Sequence, residues 1–204
     1  MKSLFSAALL ALLSLGAAAQ GTAIQTSSPI VDVKTADVKM LPLDKSPMDM
    51  AYFPDEYPVL KIKDKAKEPP VARVIYSRPQ KADRVVFGDL VEYGKVWRLG
   101  ANEATEIEFY KDVKIDGKRV PKGKYTLYAV VNPDQWTIIL NKDTDTWGSF
   151  KYDEKKDLLR VNVPAQKVLE PVEAFTIYFD KTATGANLNI AWDTVLATLP
   201  IAMK

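Results

Sequence analysis

From Val71 onward the chain alternates apolar and polar residues with a period of two, and it holds that period almost to its last residue. In "FTIYF" Phe175, Ile177 and Phe179 share one face, with Thr176 and Tyr178 on the other. "NLNIAW" sets Leu188, Ile190 and Trp192 against Asn187, Asn189 and Ala191, and "LLRVNV" sets Leu159, Val161 and Val163 against Leu158, Arg160 and Asn162. Such segments are half-buried strands. "YTLYAVV" and "WTIIL" are apolar on both faces, as central strands are. The turns agree. "KIDGKRV" places Asp116-Gly117 at a hairpin tip, "VVNPDQW" puts Pro133-Asp134 in a turn, and "KTATGAN" supplies a third reversal. About nine short strands and no sustained helix predict an all-β fold, an antiparallel β-sandwich of jelly-roll-like character. The one helical candidate there, "DEKKD" (Asp153 to Asp157), is a surface turn at most.

Before Val71 the period is absent. Lys2, the apolar run Leu4 to Leu15 and Ala17-Ala18-Ala19 have the order of an export signal, cleaved after Ala19. The expected organisation is a signal peptide at 1–19, a flexible leader at 20–45, and a single β-sandwich domain at 46–204. Within that domain, 46–70 is an irregular, proline-rich packing arm. Its aromatic cluster, Met50 to Ile62, is expected to dock on the domain, with Val59 to Ile62 as a short edge strand.

Composition removes more chemistry than it adds. The chain has neither cysteine nor histidine. No disulfide framework is available, and no cysteine stands near the cleavage site to carry a lipid anchor. Histidine-activated nucleophiles are impossible, and zinc, copper and non-haem iron sites lose their usual ligands. No cofactor or metal is expected, and any catalysis would rest on carboxylates. The 28 basic side chains nearly balance the 26 acidic ones, which argues against nucleic acid as a partner. No segment after the signal approaches a membrane span. The expected location is soluble, in the periplasm or outside the cell.

"VIYSRPQ", "FGDLVEYGKVWRLGANEATEIEF", "VPKGKYTLYAV", "WTIILNKDTDTWGSFKYD" and "LLRVNVP", in this order, resemble the bacterial family called domain of unknown function 2911 (DUF2911). The resemblance covers most of Ser46 to Ile201, with its core block at Phe87 to Phe109. It implies an exported, mostly β protein and brings no activity, substrate or cofactor with it.

The densest chemistry is "GKVWRLGANEATEIEF" (Gly94 to Phe109). Counting back by twos from the core-facing Phe109 and Ile107 puts Glu103 on the inward side. An inward carboxylate needs a partner, and Arg98 across Gly100 could supply it. Two readings follow. Arg98 and Glu103 form a structural pair capped by Trp97, or they floor a pocket in which Trp97 offers a ring face and Asn102 a donor and an acceptor. Arg78 in "YSRP" is a second arginine that could hold an anion or simply pair. In "NKDTDTWGSFKYDE", Asp143, Asp145, Gly148 and Glu154 approach calcium-loop spacing, but Trp147 takes a ligand position. Trp147 beside Gly148 reads better as a second stacking ring.

The leading expectation is therefore a non-catalytic protein that binds a small molecule or glycan through Trp97, Arg98, Asn102, Glu103, Trp147 and Arg78. One alternative is a hydrolase with Glu103 as acid and Asp145 as partner. The other is a structural or envelope interaction protein with the cluster buried and satisfied.

Overall fold

The computed structural model describes residue 39 and residues 41–203. The export signal and nearly all of the leader lie outside the described residues. Ten strands and one short helix follow: β1 (Met48–Phe53), α1 (Tyr57–Ile62), β2 (Ala72–Ser77), β3 (Val96–Trp97), β4 (Glu106–Phe109), β5 (Val113–Ile115), β6 (Lys118–Val120), β7 (Gly123–Val131), β8 (Gln135–Asn141), β9 (Asp157–Lys181) and β10 (Gly185–Met203). Every strand pairing is antiparallel, in the order β1-β2-β4-β7-β8-β9-β10-β5-β6, with β3 also on β7. "DEKKD" supplies only a 3-10 turn, Glu154–Lys156. Among the described residues no helix is long and apolar enough to cross a membrane.

The two last strands are too long to run straight. At about 3.3 Å per residue they would span on the order of 80 and 60 Å. Instead β10 doubles back. Met203 N–H donates to Thr184 O at 2.8 Å, and Thr198 Oγ1 donates to Asn189 Oδ1 at 2.8 Å. The reversal falls at Asp193, whose φ of 49° is left-handed. Gly185 permits the close return, because a Cβ there would lie 2.1 Å from Ile201 O. β9 pairs with β8 through Asp157–Pro164, then with one arm of this hairpin at Ala165–Lys167 and with the other at Thr176–Lys181. It thus wraps the hairpin tip and carries the sheet from one layer to the next.

The apolar face predicted for each strand is the face that is buried. Val74, Ile107, Leu127, Ile138 and Val161 from one layer close on Phe175, Ile177, Leu188, Ile190 and Leu199 from the other. Rings cross between the layers: Tyr76 meets Phe175 at 5.8 Å and Phe53 meets Phe179 at 6.0 Å. This is the all-β antiparallel sandwich that the alternation implies. Asp116-Gly117 forms the β5–β6 tip with φ of 51° and 71°, as a two-residue hairpin turn requires.

The arm departs from expectation at one point. Its edge strand is β1, which pairs with β2 over six residues, from Met48↔Ser77 to Phe53↔Ala72. Val59 to Ile62 belong instead to α1, with Pro58 in the first turn. Proline is favoured there because its missing N–H and fixed φ suit a helix start. β1 takes the edge position expected of "VLKI", and Val59 stays exposed on the helix.

Candidate functional site

β3 is only two residues long, and its alternation sends Trp97 inward and Val96 and Arg98 to the outer face. Trp97 is 7% exposed and sits among four rings. It stacks on Trp192 at 5.9 Å and meets Phe175 at 5.3 Å, Trp136 at 6.0 Å and Phe87 at 6.3 Å. Its indole N–H donates to Gly100 O at 3.2 Å. Trp97 is thus a core residue and offers no ring face to a ligand.

The chain then makes a tight excursion back to β4. Leu99, Gly100 and Asn102 have φ of 53°, 141° and 56°. Gly100 lies so close to β2 that a Cβ would stand 2.8 Å from Ser77 O. Thr105 closes the loop, with its N–H donating to Arg98 O at 3.0 Å and its hydroxyl to Leu99 O. Ala104 and Thr105 are both buried, so the period of two is already broken where the backward count passes through. Glu103 consequently faces solvent rather than the core.

The β8–β9 loop comes to meet it. Ala104 N–H donates to Thr146 O at 2.9 Å and Gly148 N–H to Asn102 O at 3.0 Å. Glu103 and Trp147 form the bridge between these bonds, which places their side chains together on one face. Trp147 is 62% exposed and Phe150, three residues on, is 86% exposed. The loop is anchored at its base by Tyr128 Oη and Thr146 Oγ1 at 3.0 Å and by Ser149 Oγ donating to Val96 O at 3.0 Å. Phe150 was not singled out by the sequence. Gly148 beside it is the signal, since a Cβ there would touch the Phe150 ring at 2.7 Å.

Of the six expected residues, the structure thus brings Asn102, Glu103 and Trp147 together. Asn102 Nδ2 also donates to Asp44 Oδ2 at 3.2 Å. Arg98 emerges on the same outer face but makes no ion pair with Glu103 or any other described residue. Its Nε is buried without a hydrogen-bond partner, and burial draws the guanidinium pKa below its ordinary value. Arg78 is elsewhere and fully engaged. It bonds Asp49 Oδ2 at 2.9 Å, Phe175 O at 3.1 Å and Thr176 Oγ1 at 2.9 Å, which stitches β1 to β9.

These distances predict that Glu103→Gln changes stability by no more than about 0.5 kcal/mol, as exposed substitutions do. Arg98→Met should be neutral or stabilising, because it removes a buried donor that lacks an acceptor. Urea unfolding of both single variants and the double variant should then show additive effects. A coupling above about 1 kcal/mol would mean that the two side chains pair in solution.

The acidic loop is neutralised by the chain itself. Lys156 Nζ holds both oxygens of Asp143 at 2.8 Å. Lys124 Nζ lies 3.0 Å from both Glu106 and Asp145, and its hydrogen bond keeps the Asp145 carboxyl below the ordinary carboxylate range. Among the described residues no group of three ligands is placed to hold a metal ion. Glu103 and Asp145 do line one cavity, together with Glu106, Met48 and Ile75, of about 140 Å³.

A cleft of about 760 Å³ lies where β9 parts from β10, beside the β5–β6 tip. Ala165 N–H donates to Asp134 O, so odd-numbered groups of β9 face β8 and those of Pro164 face the cleft. Met203 N–H faces Thr184, so on β10 the group turned to the cleft is Pro200. Neither proline has an N–H to offer, and the gap is not zipped by a strand. Its polar lining is neutral apart from Lys114 and Asp116 at the tip.

No curated protein and no solved structure matches the chain. The family model that does match, described as a protein of unknown function, spans residues 60–201, from α1 to the end of the sandwich. It takes in β2 to β9, nearly all of β10, and every residue of the outer-face cluster, and on that match the chain belongs to the DUF2911 family.

Proposed function

We propose that the protein is an exported, non-catalytic binding protein that takes a glycan or similar neutral polar ligand on the outer face around Trp147. The observation that carries this reading is the bridge that sets Trp147, largely exposed, beside Glu103. An indole face packs against the C–H face of a sugar, and a neighbouring carboxylate and amide take its hydroxyls. Asn102 and Arg98 add donors, and Phe150 extends the apolar platform. The loop is held by four hydrogen bonds, two to the segment before β4 and one each to β7 and β3, so little ordering is needed on binding.

The test is thermal unfolding of the protein against a panel of mono- and oligosaccharides. A ligand at a hundred times its dissociation constant should add about 2.7 kcal/mol of stability. Trp147→Ala should abolish that shift while leaving the unliganded midpoint nearly unchanged. A binder whose shift survives Trp147→Ala overturns the site, and a silent panel overturns the ligand class.

The hydrolase reading has one observation in its favour, the cavity shared by Glu103 and Asp145. At about 140 Å³ it has room for a few waters, at about 30 Å³ each, rather than a sugar ring. Lys124 also occupies the Asp145 carboxylate. Turnover of any panel sugar, lost in both Glu103→Gln and Asp145→Asn, would favour that reading instead.

A further inference from the structure

We propose a second, independent site: the cleft between α1 and the outer face of β2 binds a small oxyanion, a carboxylate or phosphate group carried on a compact ligand. The cleft holds about 360 Å³ and is lined by Tyr52, Tyr57, Lys61, Lys67, Arg73 and Tyr110, with Glu68 and two prolines completing its wall.

Strand register builds its floor. Tyr52 on β1 pairs with Arg73 on β2, and Arg73 pairs with Glu108 on β4, so the three lie in one row across the outer face. Arg73 Nη2 bonds Glu108 Oε2 at 2.7 Å, and Tyr110 Oη donates to the same oxygen at 2.8 Å. Glu108 is thereby held back against the sheet by two donors. Burial and that carboxylate push the Tyr110 phenol up to about 12, so it stays a donor at any physiological pH. Arg73 has a further donor to spare. Its Nε is buried and has no hydrogen-bond partner. The Nη1 group likewise makes no hydrogen bond among the described residues and is not enclosed as Nε is, so an oxyanion in the cleft meets the guanidinium there.

The walls supply charge and a flat surface. Tyr57 on α1 packs on Tyr52 with ring centroids 5.6 Å apart. Lys61 from α1 and Lys67 from the following segment make no ion pair among the described residues. Both are exposed. With Arg73 already balanced by Glu108, the two ammonium groups outweigh Glu68, and the cleft carries a net positive charge. Its size suits a group no larger than a monosaccharide phosphate or a short carboxylic acid. A polyanion is disfavoured, because the rest of the surface is nearly balanced in charge.

The experiment is calorimetric titration of the protein with inorganic phosphate and, separately, with acetate, using sodium chloride at equal ionic strength as the reference. Saturable binding of either anion beyond chloride is expected, and the two arms show which oxyanion geometry is preferred. Lys61→Gln/Lys67→Gln should fold normally and bind about tenfold more weakly or worse. In ¹⁵N-labelled wild-type protein the Arg73 Nε–H resonance should move with the same saturation curve. This readout needs no variant, and it is independent of Trp147. Anion effects no greater than those of chloride overturn the proposal. Binding that leaves the Arg73 signal unmoved, or that is undiminished in the double variant, does so as well.

Discussion

Replacing Trp97 with alanine is expected to lower the unfolding free energy by about 3–5 kcal/mol, the range for removing a large aromatic from a packed core. The indole touches rings from both layers, Trp136 on β8 and Phe175 and Trp192 on β9 and β10. It also holds Gly100 O through its N–H, and Gly100 is the point at which the loop after β3 is pinned to β2. The loss should therefore reach the outer face, where Asn102 and Glu103 depend on that loop. Trp97→Phe keeps a ring in the cluster but leaves the Gly100 carbonyl without its indole donor, and should fall between the wild type and the alanine variant. Urea unfolding followed by tryptophan fluorescence and near-ultraviolet dichroism measures both. A domain worth about 5–15 kcal/mol in total would lose a large share of its stability. An unchanged midpoint in Trp97→Ala would place the ring outside the core and return it to the list of ligand platforms.

Why Trp97 reads as a ligand platform in the sequence is a matter of element length. Periodicity assigns a face only where several residues sustain it, as in "FTIYF" or "LLRVNV", whose inward residues are all buried. A two-residue strand such as β3 has no period to show, and the three left-handed residues that follow it reset the phase before β4. The same break misleads the backward count from Ile107 to Glu103. The long strands hide a different feature. "NLNIAWDTVLATLPI" alternates without a glycine or proline at its centre, yet β10 reverses at Asp193, because an aspartate tolerates the left-handed region that a hairpin tip needs. The Asp116-Gly117 tip, by contrast, has the dipeptide that such turns favour, and it is legible at once. Of the outer-face cluster, the residue types were legible and their contacts were not. Trp147 and Glu103 lie far apart in sequence, and only the bridge between two loops makes them neighbours.

Deleting the arm gives the second large effect. A chain that begins after Lys45 should fold as the full chain does, because it retains β1 and, among the described residues, loses only the bonds that Asp44 accepts from Asn102 Nδ2 and Ser46 N–H at the surface. A chain that begins after Pro70 loses the whole β1–β2 ladder. Phe53 leaves the core, where it packs on Phe179, and that alone is worth about 3–5 kcal/mol. Asp49 leaves the half-buried Arg78, whose guanidinium then keeps only its β9 partners. The combined loss should be on the order of 5 kcal/mol, enough to unfold a marginal domain. Any folded remainder would expose the edge of β2, whose unpaired backbone groups invite pairing with a second copy. Sedimentation at several concentrations should then show association that the longer chain lacks. The family match begins at Leu60, after β1, so the matched residues by themselves do not include the strand that covers this edge. If the two truncated chains melt together with the full-length protein and remain monomeric, β1 is not docked in solution. The oxyanion cleft, which needs Tyr52 from β1 and Lys61 from α1, would lose its wall as well. Phosphate binding measured on the two truncations therefore connects the results: it should survive the first cut and disappear with the second.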